Sequence, residues 1–323
     1  METYRCIGIL TLETILPVKE KTVGFTFLAS QCKHCLLKGG NYSMAVNAIA
    51  SFCAAHGLRL DKHLGQHFLR DEEVLRDIVE AAKIEADDHI VEIGPGIGVL
   101  TKELLKRARK VTAIELDDRL IPLLKQFVTK NYELGTSNLA IVHGNALQTP
   151  MPSDPYKVVA NIPYSVTSPL LHHLFLESAT KPTSLTLLLQ REVAEKICLP
   201  VRRSRGSKAG DVKGTGMLTI IVGLFGKPKL IRTVPSSAFL PPPKVESAVL
   251  RIECFTKPLA EAAVLNRVFE LVKTCFSKKR KMLRNTLGKT EGGTRLLQSC
   301  AIAETRRPET LAVEEWLDLA SCP

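Results

Sequence analysis

From about residue 58 the apolar positions alternate between short unbroken runs and stretches with helical spacing, the pattern of strands and helices taken in turn. The runs predict buried strands at His89–Ile93, Val111–Ile114, Leu139–Val142, Lys157–Ala160 and Ser184–Leu189, with two more at Met217–Phe225 and Val245–Ile252. Helical spacing over Val99–Arg107 and Asp117–Val128 fills the first two intervals. Strands that alternate with helices predict a parallel sheet covered on both faces. After about Phe255 the strand signal ends, and the spacing predicts helices at Leu259–Phe276, Lys278–Leu287, near Arg295 and at Pro308–Leu319. The predicted organisation is an α/β domain over 58–255 and a small all-helical domain over 256–323. Residues 1–57 show no sustained period and are broken by Lys38-Gly39-Gly40-Asn41, so they read as a poorly ordered extension or as sequence upstream of a start at Met44.

Composition narrows the partner class. The chain has 323 residues, enough for one large and one small domain, and a formal net charge of +11. Such a balance suits a polyanion, because Lys and Arg that neutralise phosphates release counterions. No run of about 18 apolar residues is present, so no membrane span is expected. Nine cysteines at irregular spacing argue against a disulfide framework and for a reducing cytoplasm. Cys32-Lys33-His34-Cys35 and Cys53-Ala54-Ala55-His56 formally match zinc-ligand spacing, but the second pair lies in an alanine-rich stretch that suits a helix face, and no metal is expected.

Candidate chemistry sits where the predicted strands end. Gly94-Pro95-Gly96-Ile97-Gly98 follows the first strand, where glycines permit a sharp turn and close approach of a ligand; Val99 stands where a dinucleotide fingerprint wants glycine, which counts against NAD. Glu115 ends the second strand, where a carboxylate can accept ribose hydroxyls, and Asn145 follows the third, where an amide can read an adenine edge. Open parallel sheets bind ligands at this carboxyl edge. Ordinary turn glycines and solvated acids are the plainer reading of the same residues.

Asn161-Ile162-Pro163-Tyr164 follows the strand at Lys157–Ala160. An adenine amine is a weak nucleophile because its lone pair is delocalised into the ring. An Asn oxygen and a neighbouring carbonyl that accept its two N–H bonds favour the pyramidal form, and an aromatic ring can hold the base by its face. The same letters also suit a Pro-terminated strand end with an Asn-capped turn.

Gln66-His67-Phe68-Leu69, Glu92 to Gly98, Glu115, Gly144 to Leu147, Asn161 to Tyr164, Gln190 to Ala194 and Phe239-Leu240-Pro241-Pro242-Pro243-Lys244-Val245 stand in the order found in the KsgA-type ribosomal RNA adenine dimethyltransferases, which the chain resembles from about residue 58 to its end. The resemblance implies a Rossmann-like, class I fold using S-adenosylmethionine to dimethylate two adjacent adenosines near the 3′ end of small-subunit ribosomal RNA. The partners it implies are the small ribosomal subunit and its RNA, met as a monomer in the cytoplasm. Carried over residue by residue, His67, Leu69, Gly94, Glu115, Asn145 and Asn161 hold the cofactor, and Asn161, Ile162, Pro163 and Tyr164 form the catalytic loop. Phe239 is a candidate for the second face of the base, or a core aromatic. The chain departs from the family twice: His67 stands for the usual Asn and Asn145 for the usual Asp. A basic stretch in the helical domain, Lys273, Lys278, Lys279, Arg280, Lys281 and Arg284, is the expected RNA contact, against the plainer reading of a solvated charged face. The nearest alternative is an Erm-type methyltransferase of large-subunit RNA, and a further one is a non-catalytic RNA-binding assembly or transcription factor on the same fold.

Overall fold

In the computed structural model, which describes residues 49, 51–58, 66–130, 137–199, 216–278 and 280–322, a seven-stranded sheet forms the centre of the molecule. Helix α1 (Glu72–Ala82) starts at Asp71, whose carboxylate accepts the Glu73 and Val74 N–H groups at 3.0 and 3.1 Å. The helix buries Val74, Leu75, Ile78, Val79 and Ala82 on one stripe and ends where Lys83 turns left-handed. Next come β2 (His89–Ile93), α2 (Thr101–Leu105), β3 (Lys110–Glu115), α3 (Leu120–Lys130), β4 (Leu139–His143) and β5 (Lys157–Asn161), preceded by the short β1 (Phe68–Leu69). Every residue of β2 is buried, as expected of a strand covered on both faces.

After β5 the chain forms α4 (Thr167–His172), a π-helical turn at His173–Glu177, β6 (Ser184–Gln190) and α5 (Arg191–Ile197). Then follow α6 (Met217–Phe225), β7 (Gly226–Val234), β8 (Phe239–Leu240) and β9 (Ser247–Cys254). The sheet order is β4-β3-β2-β5-β6-β9-β7. The strands from β4 to β6 pair in parallel, while β9 pairs antiparallel with both β6 and β7. From β2 the chain builds outward through β3 and β4, then returns to place β5 on the other side of β2. The direction of winding therefore switches between β2 and β5, and a crevice opens beyond their carboxyl ends.

Two expected elements are corrected. Met217–Phe225 is a helix, and the strand falls on Gly226–Val234. A short apolar run without polar interruption fits a buried helix as well as a buried strand, and this helix is covered nearly all round: Thr219, Ile220, Ile221, Val222, Leu224 and Phe225 are buried. At Gly223 an added Cβ would lie 3.1 Å from Val313, so close helix packing uses that position. The strand β7 carries Lys227, Pro228 and Lys229 because it is the sheet edge, where charge and proline oppose further strand pairing. The helix expected over Lys278–Leu287 is replaced, among the described residues, by 3-10 turns at Leu283–Asn285 and Leu287–Lys289.

The remaining helices are α7 (Ala262–Phe276), α8 (Gly293–Ser299) and α9 (Val313–Ser321). Leu265, Val268, Val272 and Trp316 from these helices join the same apolar cluster as Val158, Leu185 and Leu250 of the sheet. Before β1, residues 51–55 are helical, and Ile49 and Cys53 are buried in a small cluster with Phe68, Ile97, Leu120 and Phe127. Thus the end of the stretch read from sequence as an extension packs on the body, while the Met44 start and Cys32–Cys35 lie outside the described residues. No helix among the described residues is long and apolar enough to cross a membrane.

Candidate active site

The crevice at the switch point is lined by the ends of four neighbouring strands: Gly94 after β2, Glu115 of β3, Asn145 after β4, and Asn161 through Tyr164 after β5. His67, Leu69 and Phe239 complete it, brought together from distant parts of the chain by β1 and β8, in which Leu69 pairs with Phe239. All the residues expected from sequence to hold cofactor or target base therefore border one cavity. Gly94 and Gly96 have φ of 67° and 62°, the left-handed region that favours glycine. A Cβ at Gly96 would meet the Phe68 ring at 2.8 Å, whereas at Gly94 the nearest heavy atom would be the Asn161 carbonyl oxygen at 3.9 Å. Gly96 is thus required by packing, and Gly94 leaves the crevice floor open to a ligand.

Asn161 ends β5 with its orientation fixed. Its Nδ2 donates to the His67 carbonyl at 3.0 Å, and since a carbonyl can only accept, the amide oxygen is assigned without ambiguity. Among the described residues Oδ1 has no hydrogen-bond partner, so it remains an acceptor. The His67 ring is fixed in the same way: Nδ1 lies 2.7 Å from the Pro241 carbonyl and donates to it. Tyr164 opens a 3-10 turn after Pro163; its ring is near-parallel to His67, with centroids 6.2 Å apart, and its hydroxyl lies 2.7 Å from Ser247 Oγ. Phe239 is buried and belongs to the apolar cluster that includes Leu69, Val74 and Ile78, while still bordering the cavity. It serves as core and as wall.

The acidic groups are held differently. Glu115 accepts the Gly96 N–H through one oxygen at 3.0 Å and the Asp117 N–H through the other at 2.9 Å. Burial raises its pKa, and the backbone N–H groups oppose that rise. Asp117 is in turn gripped by Arg119 and by Gln66 Nε2 at 2.8 Å, which ties the segment before β1 to the end of β3. Asn145 accepts the Leu147 N–H through Oδ1 at 3.0 Å, leaving its two amide N–H groups as the donors it can offer. Sequence reasoning passed over Glu92. It is 1 % exposed and borders the cavity, and among the described residues Oε2 has no hydrogen-bond partner. Burial, helped by repulsion from Glu115, pushes its pKa up to about 8; the Thr101 hydroxyl opposes the shift without making a hydrogen bond of ordinary geometry. The signal was a carboxylate inside an otherwise apolar strand.

A rigid carboxylate, an amide that can offer donors, an open glycine floor and a buried acid together fit a nucleoside ligand. The basic residues expected to meet RNA lie elsewhere: Lys273 in the last turn of α7, and Lys278, Arg280, Lys281 and Arg284 after it, all exposed. None of these five makes an ion pair among the described residues, and Lys279 lies outside them. Lys273 Nζ stands 6.0 Å from the Phe269 ring centroid. Cys53 is buried in the cluster with Phe68 and Ile97, and His56 Nδ1 hydrogen-bonds to the Phe52 carbonyl at 2.8 Å.

The family model for ribosomal RNA adenine dimethylase matches residues 57–322. A ribosomal RNA small subunit methyltransferase A from Dehalococcoides mccartyi is 39% identical over 273 residues, covering 81% of this chain and 88% of that protein. Among solved structures, a dimethyladenosine transferase from Plasmodium falciparum superposes with a TM-score of 0.64 at 29% identity, over 78% of this chain and 96% of that one. The 23S rRNA methyltransferase ErmE superposes with a TM-score of 0.58 at 30% identity, over 78% and 98%. The sheet with its antiparallel β9 and the carboxyl-edge crevice are the class I methyltransferase fold, and the chain belongs to the ribosomal RNA adenine dimethylase family.

Proposed function

We propose that this chain uses S-adenosylmethionine to dimethylate two adjacent adenosines near the 3′ end of small-subunit ribosomal RNA, acting as a cytoplasmic monomer on the small subunit during its assembly. The observation that carries the reading is the fixed amide of Asn161, whose oxygen is left as an acceptor at the switch point of the sheet. Bound in the crevice, the cofactor supplies a methyl group already activated by a sulfonium charge. Glu115 holds the ribose, Asn145 the adenine edge, and Gly94, Leu69 and His67 the rest. Asn161 Oδ1 and the carbonyl of Ile162 or Pro163 accept hydrogen bonds from the N–H groups of the target amine, which turns its lone pair outward. Tyr164 supports the base by its face, with Phe239 as a wall. No strong general base is needed, because the methylated amine is acidic and gives its proton to water. Residues 58–255 carry this chemistry, and the basic surface of 256–323 holds RNA phosphates.

The small-subunit assignment follows the names of relatives at 37–40% identity, above the 30% shared with ErmE. Asn161→Ala should lower transfer of labelled methyl groups to small subunits at least a hundredfold while weakening cofactor binding less than tenfold. Near-normal turnover would remove Asn161 from the chemistry.

A further inference from the structure

Building on the adenine-methylating reading above, we propose that Ser247 is a positioning residue: its hydroxyl tethers the Tyr164 hydroxyl and so sets the plane on which the target base stacks. Ser247 opens β9, the antiparallel strand inserted between β6 and β7, where it pairs with Gln190 on one side and Val234 on the other. It is fully buried, and the three residues that follow, Ala248, Val249 and Leu250, are all apolar core. A hydroxyl in such a strand is out of place unless it has a partner, and Tyr164 Oη at 2.7 Å is the partner described.

Tyr164 needs an external anchor. It stands three residues beyond the end of β5, at the start of a 3-10 turn that has no side-chain cap and is closed by a Val166 N–H to Pro163 carbonyl bond of 3.1 Å. The ring is only half-buried, and its pKa is raised by burial, so the phenol keeps its proton and can donate to Ser247. The two base-facing groups of the loop are therefore fixed by different parts of the fold. The Asn161 amide is held by the His67 carbonyl before β1, and the Tyr164 ring is held at its far end by β9. Pinning both reduces the orientations in which an inserted adenine meets acceptor and stacking face together.

The experiment compares the unmodified chain with Ser247→Ala, Tyr164→Phe and the double variant. In the free protein, tyrosine labelled with carbon-13 at Cζ reports the tether directly, the Tyr164 signal being identified by its loss in Tyr164→Phe. Single-turnover methyl transfer to unmethylated small subunits reports its use. The Tyr164 resonance should move in Ser247→Ala. Each single variant should slow transfer about tenfold, the double variant no further, and subunit KM and cofactor affinity should stay within twofold. An unmoved resonance, a full transfer rate in Ser247→Ala, or single losses that multiply to about a hundredfold would each overturn the proposal. Should Ser247→Ala fail to fold, a full transfer rate in Tyr164→Phe, which keeps the ring and loses the tether, would overturn it equally. Failure of the unmodified chain to label any adenosine would instead overturn the functional reading, and the resonance would still decide the tether.

Discussion

Replacing Glu92 by Gln should stabilise the protein, and by an amount that depends on pH in a defined way. Glu92 is 1 % exposed in the middle of the sheet, its Oε2 has no partner among the described residues, and burial with repulsion from Glu115 raises its pKa from 4.5 to about 8. Between those values the unfolded chain has an ionised carboxylate while the folded chain keeps it protonated. Folding then takes up a proton, and stability falls as pH rises through the window. Each unit of the window costs about 1.4 kcal/mol, so the accumulated penalty is roughly 3 kcal/mol at pH 7 and approaches about 5 kcal/mol above pH 8. Gln mimics the protonated acid in shape and charge and escapes the penalty. The variant should match the parent near pH 4.5 and exceed it increasingly up to pH 8, beyond which the difference is flat. At pH 7 the gain corresponds to a Tm higher by about 5 °C for a chain of this size. Urea unfolding of both proteins at pH 5, 7 and 8.5 measures it. Two stability profiles that run parallel across this range would refute the assignment of a buried, protonated Glu92. A cationic cofactor beside Glu92 would favour the ionised carboxylate, which Gln cannot form, so the variant should also bind the cofactor less well.

Changing Lys278, Arg280 and Lys281 together to Glu should weaken small-subunit binding at least tenfold and flatten its salt dependence, with an unchanged circular dichroism spectrum; equal affinity in filter binding would make this surface a solvated face only. Asn145→Asp keeps the acceptor used by the Leu147 N–H and exchanges two donors for a second acceptor facing the adenine amine. Cofactor binding by calorimetry should tighten three- to tenfold, roughly one hydrogen bond's worth, and weaker binding would show that the contact runs through the Asn145 donors instead. Trp316 is fully buried where α9 meets α7, so Trp316→Ala should cost about 3 to 5 kcal/mol in denaturant unfolding, and a loss below about 1 kcal/mol would show that the helical segment contributes little to the core.

The crevice was legible in the sequence because each of its parts ends an apolar run: Gly94 after β2, Glu115 at the end of β3, Asn145 after β4 and Asn161 at the end of β5. Once those runs are read as parallel strands, their carboxyl ends must lie side by side. What the sequence hid were contacts between distant positions. The Asn161 amide bonds to His67, 94 residues away, and Tyr164 to Ser247, 83 residues away; no local period encodes either. Secondary structure went astray where composition is ambiguous. Met217–Phe225 has the β-branched residues of a strand but is wrapped by other elements on every side, and helices meet that demand too. Gly226–Val234 carries lysines and a proline, which conceal a strand when it lies at a sheet edge. Between Lys278 and Leu287 the chain has residues that favour helix, but like charges crowd its first half, and short 3-10 turns follow.

The proposed reaction is methylation of an adenine amine of small-subunit RNA at Asn161. Incubating the full chain with labelled S-adenosylmethionine and separate unmethylated small and large ribosomal subunits, then mapping the modified bases, tests it most directly. Label is expected on N6 of two adjacent adenosines near the 3′ end of the small-subunit RNA. Label on the large subunit alone would contradict it.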